Sequence, residues 1–309
     1  MALPLFGKRP VAQSDEERQA AAVDLDRIAR GGIPLGAEER LTRIAASDAP
    51  VFTSDLSAKE YALAQASGLQ PIAQIMGSSV VQHGWQNYGW QNYRGGISEM
   101  PSFALPWNLS RERSFDRLRQ EAQFAGADTV IGIEINAKSF LGEPGQVEYA
   151  VFGTAVRETT LPTRARAGQP RMCALSGQDV DKLRRIGAET LGVVGHTSVV
   201  CAALSPWANQ MMSSWWGNQE LTDVTQGVYA ARQLAMREVK QQANNLGAND
   251  LVISTLTHQI QHHEYETTGY RQHYFIVSMH VLGTAIRLGA HEPHPAPFGA
   301  PTMAINLGA

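Results

Sequence analysis

Two stretches of the chain carry apolar residues at three- and four-residue steps. Phe115, Leu118, Ala122 and Ala125 make the first set, and Met236, Val239, Ala243 and Leu246 the second. This spacing sets each quartet on one face of a long helix, with Arg117, Arg119 and Glu121, or Arg237, Lys240 and Gln241, turned largely elsewhere. Gly126 and Gly247 are expected to end the helices in the left-handed conformation, where a side chain costs roughly 1 kcal/mol. Period-two or continuous apolar strands follow each helix. Residues 129–135 and 251–256 form one pair of strands, and residues 147–156 and 274–286 the other. In the last strand Phe275, Val277, Met279 and Val281 alternate with Ile276, Ser278, His280 and Leu282. One face is therefore expected to be wholly apolar and the other mixed.

The repetition extends to the letters. Gly126-Ala127-Asp128-Thr129-Val130 returns as Gly247-Ala248-Asn249-Asp250-Leu251, and Gly153-Thr154-Ala155-Val156-Arg157 as Gly283-Thr284-Ala285-Ile286-Arg287. Upstream, Leu56-Ser57 and Ser79-Val80-Val81 return at one constant offset as Leu175-Ser176 and Ser198-Val199-Val200. A helical stretch near residues 55–65 and a strand over 69–81 open the first copy, so each module reads strand, long helix, strand, strand. Residues 142–145 and 267–269 carry turn chemistry between the final strands. The expected organisation is a helical arm over 1–50, with Ser14 as N-cap, and a first module over 51–159. A linker over 160–173, a second module over 174–288 and a Pro- and His-containing tail over 289–309 complete it. Before each long helix lies a polar, aromatic insertion. Together the two are read as holding all six tryptophans: Trp85, Trp90 and Trp107, then Trp207, Trp215 and Trp216.

These motifs, Val80-Val81 and Val199-Val200 with the two Gly-Ala-Asp/Asn and Gly-Thr-Ala-Val/Ile-Arg phrases, resemble the YbjQ-like family, which is labelled heavy-metal-binding. The resemblance covers about two thirds of the chain and implies two tandem dodecin-like β-α-β-β modules in an α+β fold. It also implies subunits that assemble into pentameric rings, but no enzymatic activity and no defined metal site. This chain departs from the family pattern by fusing two modules, adding an arm and inserting the Trp-rich segments. A fused pair presents head-to-tail faces that must close or run on as a filament, so a homo-oligomeric ring is expected, at five chains and ten modules.

Composition narrows the chemistry. With 43% apolar and 18% charged residues and a net charge of −3, there is no global basic field to recruit nucleic acid. No apolar run is long enough to span a bilayer, the start does not read as a secretory signal, and a cytoplasmic protein is the expectation. Two cysteines, Cys173 and Cys201, make no disulfide framework and are expected to act as small buried hydrophobes. There is no phosphate loop or nucleophile elbow, so the chain is read as a non-enzyme. Five of the nine histidines, His258, His262, His263, His273 and His280, fall in the last hairpin. His262, His263 and His273 are the candidate ligands for a transition metal, the one cofactor considered. The plainer expectation is polar decoration of a solvated strand face, since no carboxylate or thiol is seen to complete the site. The tryptophans are candidate contacts for a protein partner, for the module interface, or for a membrane surface. The leading expectation is a ring-forming scaffold or binding protein. The alternatives are a metal-binding or metal-sensing protein working through the hairpin histidines, and a membrane-surface protein working through its Trp loops.

Overall fold

The computed structural model describes residues 14–47, 56–82, 96–140, 146–159, 168–212, 218–267 and 270–290. Among these residues seven helices and two four-stranded sheets form a mixed α+β fold. The arm is a helical hairpin, α1 (Asp15–Ala29) and α2 (Leu35–Ala46). Ser14 and Glu17 cap α1 reciprocally, satisfying amides that the first turn leaves unpaired. Arg117 and Gln120 hold the turn between the two helices. The guanidinium donates to the carbonyls of Gly32 and Ile28, at 3.2 and 3.0 Å, and the Gln120 amide donates to Gly31 at 2.9 Å.

In the first half, α3 (Ala58–Ala66) leads into β1 (Leu69–Gln82), the short β2 (Gly96–Glu99), the long α4 (Pro101–Phe124), and the hairpin β3 (Thr129–Phe140) and β4 (Gln146–Glu158). The second half adds β5 (Arg171–Met172), α5 (Gly177–Arg185), β6 (Glu189–Ala203), α6 (Pro206–Met212), α7 (Thr222–Asn245), and the hairpin β7 (Asp250–Thr267) and β8 (Tyr270–Arg287). Ser57 caps α3 and Ser176 caps α5, each accepting from the amide three residues on. Gly126 and Gly247 end α4 and α7 with φ of +68° and +75°, the left-handed stop expected of them. The sheets share one central order. The first runs β1-β4-β3-β5 and the second β2-β6-β8-β7, with the long strands antiparallel. Their bulges also correspond, at Pro71/Ala73 in β1 and Thr190/Gly192 in β6.

Each half lends a strand to the other's sheet. β2, from the segment before α4, pairs with β6, and the Met100 amide continues that ladder to Val199. β5, from the segment before α5, runs parallel to β3, continued by the Cys173 amide on Val130 and the Gly132 amide on Leu175. One core draws on both sheets and on α4: Ile75, Tyr149 and Val151 meet Val199, Cys201, Tyr274 and Ile276 around Trp107 and Leu118. The other face of the second sheet packs Val200, Val277, Met279 and Val281 on Ala231, Ala235 and Val239 of α7. That is the wholly apolar face expected of β8. Its mixed face is not solvated, as the hairpin reading supposed, because α4 and the first sheet cover it. Ser278, His280 and Thr284 are all buried there.

α4 begins earlier than its apolar quartet suggests. Pro101 occupies the first helical position, where its missing amide costs nothing, and the helix carries Pro106 within it. Trp107 is thus a helical, buried residue rather than part of a loop. The crossing of α4 over β1 depends on Gly77, whose hypothetical Cβ falls inside the van der Waals envelope of the Ser114 carbonyl oxygen and within 2.7 Å of the Leu118 amide. Backbone cannot retreat there as a side chain can. Gly77→Ala is expected to destabilise the chain by about 3 kcal/mol, read as a fall in the urea midpoint at unchanged slope.

Candidate functional site

Among the described residues, the β7–β8 hairpin brings two histidines and a carboxylate together. Its register sets their faces: His262 lies opposite Phe275, His263 opposite Tyr274 and Glu264 opposite His273. Since strand side chains alternate, His262 and Glu264 share a face with His273 and Phe275, while His263 turns to the opposite face with Tyr274. His262 Nε2 lies 2.9 Å from His273 Nδ1, and Glu264 Oε1 lies 3.8 and 3.6 Å from those two atoms. Phe275 lies flat against the His262 ring, with centroids 4.8 Å apart. From behind, α6 fixes the strand through Asn209, which accepts from the His273 amide at 2.8 Å and donates to the Arg271 carbonyl at 2.6 Å. Burial holds the His273 imidazole below its ordinary pKa, Glu264 opposing, so the ring is neutral near neutral pH.

Two sequence expectations are therefore corrected. His263 does not join His262 and His273, because a one-residue step along a strand reverses the face. A carboxylate does converge on the pair: Glu264, two residues along on the same face. Its signal was present as the spacing His262-x-Glu264 on a strand, legible only once the register placed His273 opposite.

His280 sits apart, in the core between the sheets. Its Nδ1 shares a 2.9 Å hydrogen bond with Thr197 Oγ1, and the Trp107 ring meets it edge-on at 4.7 Å. Nε2 is buried without a hydrogen-bond partner among the described residues. Burial drives this imidazole down to about 4. Cys173 and Cys201 are buried thiols pushed up to about 11 by desolvation, unreactive in the manner of small apolar residues. Of the tryptophans, Trp107 is core and Trp207 stands on α6 at 59% exposure, free for contact. Trp85, Trp90, Trp215 and Trp216 lie outside the described residues. No helix among the described residues is long and apolar enough to cross a membrane.

Residues 73–159 match the YbjQ family, described as "Putative heavy-metal-binding". A protein of Mycobacterium tuberculosis named as an encapsulin nanocompartment protein is 34% identical over 220 residues, or 70% of this chain and 80% of the relative. The chain belongs to this family. A UPF0145 protein of Methanococcus vannielii is 45% identical over 58 residues, 19% of this chain and 53% of that protein. A UPF0145 protein of Methanococcus maripaludis is 37% identical over 59 residues, 19% of this chain and 51% of that protein. No solved structure matches the chain.

The YbjQ description can be tested against the donors present. Within the matched stretch, the described residues include neither histidine nor cysteine. Among the described residues, the group able to supply three converging ligand atoms is His262, Glu264 and His273, in the other half of the chain. Soft and borderline metals favour nitrogen and sulfur donors, so the fit lies in the second hairpin and not in the matched stretch.

The buried His280 makes a pH prediction. Its folded pKa near 4 lies below the unfolded value of 6.5, so protons favour the unfolded chain across that interval. Its contribution to stability is complete above pH 6.5 and is lost as pH falls towards 4, about 3 kcal/mol at most. In denaturant titrations from pH 7 to 4, His280→Gln should be less stable at neutral pH but show a shallower loss than the native chain.

Proposed function

We propose that the chain is a non-enzymatic, self-assembling scaffold or binding protein, built from two tandem dodecin-like β-α-β-β modules that close into a homo-oligomeric ring. Support for the modules comes from the shared strand order, the matching bulges and the serine caps that open each half. The observation that carries assembly is β7. It is the 18-residue outer strand of the second sheet, with no strand beyond it among the described residues. Leu256 and Ile260 stand on it at 41% and 44% exposure. A long outer strand with unpaired backbone groups and exposed apolar side chains invites pairing with another chain, and the acidic residues of β7 sit towards its ends, at Asp250, Glu264 and Glu266. The M. tuberculosis relative, whose name refers to a nanocompartment, adds kinship to an assembly. A head-to-tail contact through one such edge closes into a ring when its rotation allows.

Native mass spectrometry of the full chain tests the reading. A closed oligomer is expected, with five chains as the count put to the test; a monomer at micromolar concentration would overturn it. The pair Leu256→Lys and Ile260→Lys should release monomers with an unchanged circular dichroism spectrum. Both side chains already face water in the single chain, so the change removes contact between chains without disturbing the fold.

A further inference from the structure

The His262, Glu264 and His273 group has a geometry that neither assembly nor the fold requires. The three facing atoms are 2.9, 3.6 and 3.8 Å apart. A circle through three points so separated has a radius of about 2.0 Å, the length of a zinc bond to imidazole nitrogen or carboxylate oxygen. One position in space is thus at coordination distance from all three atoms at once.

Other features agree. Arg271 reaches towards the second oxygen of the same carboxylate, with Nη1 3.8 Å from Oε2, which leaves Oε1 turned to the histidines. Asn209 ties the backbone of His273, and Phe275 lies on His262, so the two rings are held from different sides. His262 and Glu264 are exposed while His273 is buried, which gives an ion a path in from solvent and a rigid floor. The two facing ring nitrogens are the atoms an ion would take, and a ring that carries its proton on the facing nitrogen binds as its other tautomer.

We propose that His262 Nε2, His273 Nδ1 and Glu264 Oε1 form a binding site for one divalent transition-metal ion of the zinc class. Two nitrogens and one carboxylate oxygen suit zinc, copper or nickel and disfavour magnesium and calcium, which take oxygen ligands. Three protein ligands leave a fourth position open for water or a further ligand, unlike a closed four-ligand site that staples a fold. The site lies outside residues 73–159, the stretch that the family description matches.

Calorimetric titration of zinc chloride into the full, untagged chain, stripped of metal with a chelator, tests the site. One ion per chain at micromolar or tighter affinity is expected. His262→Gln and Glu264→Gln should each weaken it at least tenfold, whereas His263→Gln, on the opposite face, should leave it unchanged. Both ligand positions are exposed, so these variants should keep the native circular dichroism spectrum and melting midpoint. Cobalt(II) in place of zinc should give the visible absorption of a four-coordinate ion, lost in His262→Gln. Binding no tighter than millimolar would overturn the proposal and leave the pair as a hydrogen bond only. So would an affinity that His263→Gln lowers as much as His262→Gln. Native mass spectrometry of the same samples reads assembly separately, so an absent metal and an absent ring are distinct results.

Discussion

The structure depends on one helix serving two sheets. On one side α4 crosses β1 at Gly77 with backbone nearly touching backbone, and Ser114 Oγ donates to the Tyr149 carbonyl of β4 at 2.6 Å. On the other, the Asn108 side chain pairs with the Thr197 backbone in both directions, accepting from its amide at 3.0 Å and donating to its carbonyl at 2.9 Å. A primary amide matches a strand's peptide group donor for acceptor, so it can close a strand position as a neighbouring strand would. Trp107, one residue away, then lies against His280. This fixes the depth at which the second sheet meets the first. It also explains why so many polar groups are buried on the mixed face of β8: they lie in an interface between two sheets and not against solvent.

The exchanged strands turn this contact into a weld. β2 enters the second sheet before α4 begins, and β5 enters the first before α5 begins. Polar ties cross at the same place. Glu158, at the end of β4, is buried, and burial alone would raise its pKa. Arg184 of α5, Thr129 and Arg171 outweigh that and hold its carboxyl below the usual range. Arg184 and Arg171 lie 3.0 and 2.7 Å from its two oxygens. An ion pair buried to this degree is costly to break from one side, since the surviving charge is left without water. The halves therefore lack the independence that a linker-joined pair would have, and a single cooperative unfolding transition is the physical consequence.

The sequence exposes the local rules and hides the distant ones. The repeated glycine stops, the serine caps and the alternation of β8 each rest on neighbours a few residues away, and each reads directly from the chain. Trp107 reads as part of the aromatic insertion because the apolar quartet of α4 starts only at Phe115, whereas the helix begins at Pro101, a residue compatible with a first helical turn. The role of Asn108 had no local signal at all; its partner is 89 positions away. The candidate metal ligands were half legible. Clustered histidines in one hairpin could be seen, but the choice between His263 and Glu264 depends on register. A one-residue error in register exchanges the faces of every side chain.

The two halves differ in the length of their final hairpins, and this difference bears on where the candidate ligands lie. β3 and β4 run 12 and 13 residues, whereas β7 and β8 run 18 each. Where the shorter hairpin ends, the longer one continues, with Phe275 packed near Val224 at the start of α7 and α6 supporting the inner strand through Asn209. His262 and Glu264 lie on this extension, and exposed Leu256 and Ile260 precede them on the same strand face, opposite Val281 and Val277. The core of each half is constrained by packing against a long helix and has little room to carry reactive groups. An overhanging hairpin has no such constraint: its backbone is satisfied by its own ladder, and its side chains remain available to solvent, ions and other chains. The site proposed for metal therefore lies where the second hairpin outruns the first, and the surface proposed for assembly adjoins it on the same face of the outer strand.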